Sequence, residues 1–173
     1  MPNQPLFIPQ SGGTFVVSEI FSVRPATSER VGFHSVSRSF LDRFAGHPAP
    51  TQLATYTLLV DCAGAKLDLL SNNYDLSAVA VTLRTLYYLL SRQPLGQSGL
   101  LITGRARSLA FVALPGARPG TKPTEYVCVS LAWPAGNLGW EVDIFSSDEP
   151  LTPGSQLIVT TRAQPATFYR TTR

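Results

Sequence analysis

The sequence predicts a mainly β protein, an antiparallel β-sandwich carrying one long helix over about residues 75–92. Three observations lead there. After Pro94 the chain runs through short apolar stretches of strand character, the last four parted by turns at "PGARPGTKP", "PAGN" and "SDEPLTPGS". Fourteen prolines and thirteen glycines punctuate its 173 residues. One stretch alone, "DLSAVAVTLRTLYYLLSR", carries a sustained helical period.

From the N-terminus, residues 1–13 ("MPNQPLFIPQSGG") are uncharged and broken by proline, and are expected to form a flexible arm. They lack the basic start of a secretory signal. "TFVVSEIFSV" puts Phe15, Val17, Phe21 and Val23 on one face and reads as a strand. The stretch from Arg24 to Pro50 reads as loop with one helical turn at Ser39–Phe44, closed by Pro48 and Pro50. "LATYTLLVDC" reads as a buried strand.

Asp75 is placed to cap the long helix, and Pro94 lies just past its end. Leu76, Val79, Leu83, Leu86, Tyr87 and Leu90 share one stripe, while Val81, Tyr88 and Leu89 fall outside it. A helix apolar on more than one side is buried on more than one side. The strands expected after it are "SGLLITG", "RSLAFVAL", "EYVCVSLAW", "GWEVDIFS" and "QLIVTTR". In the fourth, Trp140, Val142 and Ile144 face the core and Glu141 and Asp143 the other side. Residues 14–162 are expected to form a single β-rich domain, and residues 163–173 a C-terminal arm.

Hydrophobic residues make up 44% of the chain and charged residues 14%, with a net charge of +3. So little charge favours self-association. Only Lys66 and Lys122 are lysines, against twelve arginines, and arginine is the cation suited to interfaces and to phosphate. Cys62 and Cys128 make no disulfide framework, and Cys128 sits in a strand-like run as a small hydrophobe. The apolar helix holds Arg84 and is short for a bilayer, so no membrane partner is expected. The chain reads as soluble and intracellular, with reduced thiols.

Sites of chemistry are sparse. His34 and His47 are the only histidines, and no clustered ligands accompany them, so no metal is expected. A serine-hydrolase order exists in His34, Asp61 or Asp68, and Ser98 within "GQSG", but His34 lacks supporting context. "LITGRARS" lacks the glycines and the Lys-Ser/Thr pair that cradle phosphates. No catalytic residue and no cofactor is expected. RNA contact has diffuse support. Arg24, Arg30, Arg38 and Arg43 dot the first long loop, and Arg162, Arg170 and Arg173 follow the last acid, Glu149. Phe168 and Tyr169 lie beside Arg170, a stacking-plus-phosphate combination suited equally to single strands or to docking on a neighbouring subunit.

"WEVDIFSSDEPLTPGSQLIVTTRAQPATFYR" resembles the closing strand pair and C-terminal arm of coat proteins from bromovirus- and cucumovirus-like plant RNA viruses. "SLAFVALPGARPGTKPTEYVCVSLAWPA" is similar to an earlier hairpin of those coats. The resemblance implies a jelly-roll-like sandwich, a self-assembling subunit, and a location in the virion and host cytoplasm. The chain departs from those coats in its N-terminus, which is uncharged for eighteen residues where they carry an Arg-rich arm. The segment between Trp133 and Trp140 is also shorter than theirs. The expected function is a non-enzymatic viral coat protein that self-assembles and encapsidates single-stranded RNA. The alternatives are a small Arg-rich RNA-binding accessory protein acting as a dimer, and a small serine hydrolase.

Overall fold

A computed structural model describes residues 6–9, 13–45, 55–114, 125–136, 138–146, 148 and 150–161. The elements run in the order β1 (Leu6–Ile8), α1 (Val17–Ile20), β2 (Phe33–Val36), α2 (Arg38–Phe44), β3 (Thr55–Asp61) and α3 (Leu67–Asn73). Then come α4 (Leu76–Val79), α5 (Leu83–Ser91), β4 (Ser108–Ala113), β5 (Tyr126–Ala132), β6 (Trp140–Ile144) and β7 (Gln156–Thr161).

The strands form one seven-stranded sheet in the order β1-β3-β7-β4-β5-β6-β2. The sheet is mixed: β7 runs parallel to β4, β2 runs parallel to β6, and the remaining pairs are antiparallel. Helices cover both faces, though not evenly. Trp140, Val142, Val127, Val129, Leu131, Ala110, Val112 and Ile158 point to one face, into a core with Leu83, Leu86, Leu89 and Leu90 of α5 and Phe40 and Phe44 of α2. Cys128, Leu109, Phe111, Leu157 and Val159 point to the other, in a smaller core with Leu70 of α3 and, half-buried, Leu76 and Val79 of α4.

This architecture is sheet-rich as expected, but it is neither a sandwich of two sheets nor purely antiparallel. The physical reason is visible in the strands. All of "SLAFVA" is buried except its last residue, and all of "YVCVSLA" except its first. Near-continuous apolar runs belong to strands covered on both faces, and here the covers are helices.

The long helix expected over 75–92 is also absent; α4 and α5 replace it. Val81 leaves the helical path, pairs with Val112, and donates its N–H to the Phe111 carbonyl at 2.9 Å. Thr82 then starts α5 afresh, its hydroxyl accepting from the Thr85 N–H at 3.1 Å. Asp75 does cap, but it caps the short α4, accepting from the Ser77 N–H. The apolar positions off the main stripe thus reflect a change of element rather than one helix buried all round.

Two further expectations change. "TFVVSEIFSV" holds a single helical turn, not a strand, with the Phe21 N–H bonded to the Val17 carbonyl, and Val23 is 68% exposed. "SGLLITG" forms no strand because the Gln93 side chain takes the neighbouring strand's place. Its amide donates to the Gln97 and Leu101 carbonyls at 2.7 and 3.1 Å, and its oxygen accepts from the Leu101 N–H at 2.6 Å. The Trp140 indole N–H donates to the Gln93 backbone carbonyl at 3.0 Å, tying this loop to β6. Between Arg24 and Phe44, β2 appears where loop was expected, and the expected helical turn is α2, capped by Ser37. Leu6–Ile8, within the expected N-terminal arm, pairs with β3. Residues 163–173 lie outside the described residues.

Candidate interaction surface

Of the arginines expected to meet RNA, Arg24 is spent internally. Its guanidinium donates to the carbonyls of Glu19, Ile20 and Val31 and to the Ser22 hydroxyl, and stacks over Phe33 at 5.6 Å. The last carbonyls of α1 have no intrahelical partners, and a cation at a helix C-terminus satisfies them. Arg38 pairs with Asp42 one turn later at 2.9 Å, both side chains largely exposed. Arg43 pairs with Glu125, which brings α2 to the start of β5. Arg30 lies exposed in a turn closed by Thr27. Arg162, Arg170, Arg173, Phe168 and Tyr169 lie outside the described residues.

The Arg43–Glu125 pair borders a cleft of about 580 Å³ that is open to solvent. It forms where β6 outruns β2: the Ser37 N–H bonds the Val142 carbonyl, the chain turns into α2, and the end of β6 is left without a strand on that side. Val127, Ile144, Phe145 and Leu67 give the cleft an apolar lining, while Ser39, Asp42, Arg43 and Glu125 supply polar groups. Ser39 donates to the Asp143 carboxylate at 3.4 Å. Arg43 was legible in the sequence as a surface cation. Its place in a cleft was not, because the partners come from distant segments.

The cleft also touches Cys128, and that thiol is a poor nucleophile. Burial pushes it up to about 12, with the nearby Cys62 adding to the shift. Burial likewise raises Cys62 to about 11, with the Asp61 carboxylate adding. A thiol held protonated at neutral pH is packing material.

The hydrolase order does not assemble. His34 lies on β2 and Asp61 on β3, five places apart in the sheet, or roughly 24 Å at the usual strand spacing. Asp68 lies on α3, over the opposite face of the sheet from α5, whose end leads to Ser98. His47 lies outside the described residues, and among those described no three His, Cys, Asp or Glu side chains gather as a metal site. No described helix is long and apolar enough to cross a membrane.

Compared with known proteins, the chain matches no family model, no curated protein and no solved structure.

Proposed function

We propose that the chain is a self-assembling structural subunit, a viral coat protein that encloses single-stranded RNA and acts in the virion and host cytoplasm. The observation that carries the reading is where a weakly charged chain leaves its large apolar side chains. Phe7 is 51% exposed on edge strand β1, and Val23 is 68% exposed beside the opposite, β2 edge. Leu69 is 54% exposed on α3, and Leu95 and Leu138 are 49% and 79% exposed in loops. A dimer needs one sticky patch, whereas a shell subunit meets neighbours on several sides through different surfaces. The jelly-roll resemblance lends no support, since the fold is a single sheet with helices on its two faces.

For RNA, the proposed contacts are Arg30, exposed in its turn, and Arg162, Arg170 and Arg173. Protein–protein contacts then hold most of the shell and RNA adds to them.

The test is size exclusion and negative-stain microscopy on the purified chain, with and without single-stranded RNA. Megadalton particles support the coat reading. A discrete RNA-binding dimer replaces it with the accessory-protein reading, and a monomer at high concentration in both conditions refutes it.

A further inference from the structure

We propose that the chain's own C-terminal segment, through Phe168, Tyr169 and Arg170, docks in the cleft between α2 and the open end of the β5–β6 pair. The inference goes beyond self-assembly and does not require it.

Topology puts the start of the segment at the right end of the sheet. β7 runs parallel to β4, and Ala113 at the end of β4 pairs with Tyr126 at the start of β5. Val129 pairs with Ile144, and the Phe145 N–H bonds the Cys128 carbonyl, so β6 also ends there. Thr161 therefore leaves β7 at the end of the sheet that carries the cleft.

Reach is sufficient. From β7 to β6 is three strand spacings, roughly 14 Å. Phe168 follows Thr161 by seven residues, and seven extended residues span about 23 Å.

Chemistry matches as well. The cleft offers apolar area from Val127, Ile144, Phe145 and Leu67, and its rim carries the Asp42 and Glu125 carboxylates, which already pair with Arg38 and Arg43 and leave the apolar floor as the main attraction. A Phe-Tyr-Arg sequence supplies two flat apolar rings and a guanidinium, and about 580 Å³ accommodates both rings. Tethering makes the contact intramolecular, at an effective concentration on the order of millimolar. A weak contact is then enough to keep the segment home in a free subunit, where it covers an apolar cleft and withholds its aromatics and Arg170 from other partners.

Hydrogen exchange on the full chain tests this, comparing the natural sequence with a double variant, Phe168→Ser and Tyr169→Ser. Amides of Tyr126, Val127, Ile144 and Phe145 should exchange at least fivefold faster in the variant, with Leu109–Phe111 unchanged as a control for folding. Adding a peptide of residues 162–173 to the variant should restore protection. Equal exchange in the two chains overturns the proposal. So does a difference that fades on dilution, because the occupant is then a second copy's segment. Particle formation is read separately by size exclusion, so the coat reading and this contact stand or fall independently.

Discussion

Replacing Gln93 by leucine should be among the most damaging conservative changes in this protein. Gln93 is 2% exposed and its side chain makes three hydrogen bonds to the backbone of the following loop. Leucine keeps most of the volume and none of the polarity. It strands the N–H and C=O of the buried Leu101, together with the half-covered Gln97 carbonyl. A buried backbone group without a partner costs about 1–3 kcal/mol, so two buried groups and one partly wet one total about 3–5 kcal/mol. For a chain of this length each kcal/mol lowers Tm by about 2–4 °C, which gives a fall of roughly 10 °C. Urea unfolding followed by tryptophan fluorescence measures it, since the Trp140 indole bonds the Gln93 carbonyl and reports on the same junction. Ser91→Ala is the comparator. It removes an exposed hydroxyl bond to the Tyr88 carbonyl and should cost no more than about 0.5 kcal/mol. A loss below about 1 kcal/mol for Gln93→Leu would show that solvent satisfies the loop, and the account of why "SGLLITG" is not a strand would fail.

Three other outcomes are expected. Thr57→Val should stabilise by about 1 kcal/mol in a thermal melt, because the Thr57 hydroxyl is fully buried without a partner, opposite the equally unpartnered Thr160 hydroxyl; destabilisation would mean the hydroxyl is bonded after all. Gly96→Ala should cost about 2–4 kcal/mol and weaken the near-ultraviolet tryptophan signal, since φ at Gly96 is +62° and a Cβ there would lie 2.2 Å from the Trp133 ring. Both thiols ionise more readily unfolded, at about 9, than folded, at about 11 and 12, so the unfolded chain binds fewer protons above pH 9. Stability should therefore be lost between pH 9 and 11 by up to about 1.4 kcal/mol per pH unit per thiol, and the double variant Cys62→Ala, Cys128→Ala should flatten that slope; an equal slope in both proteins counts against buried thiols.

Local pattern was legible where side chains obey a short period. The faces of β6 follow strict alternation, with Trp140 and Val142 buried and Asp143 exposed. The cap at Asp75 and the strands β4, β5 and β7 were also readable from neighbours in sequence. What was not readable depends on partners far along the chain. Val81 looks helical until Phe111 offers a carbonyl, and "SGLLITG" looks like a strand until Gln93 satisfies its backbone. Apolar runs such as "SLAFVA" fit a sandwich interior and a helix-covered sheet equally well, so periodicity alone could not choose. The surface suffered most: Arg24, Arg38 and Arg43 look alike in sequence, yet one seals a helix end and two sit in ion pairs.

The place of β7 has a consequence for how the molecule is made. The last described strand in chain order lies near the middle of the sheet, between β3 and β4. Until Gln156–Thr161 has left the ribosome, β3 with its edge strand β1 has no bond to the β4–β5–β6 unit. A nascent chain thus holds two half-sheets with open edges, each a template for wrong pairing. Closure arrives only with β7, so a stop codon in place of Gln156 would leave two unjoined half-sheets instead of a slightly shorter protein.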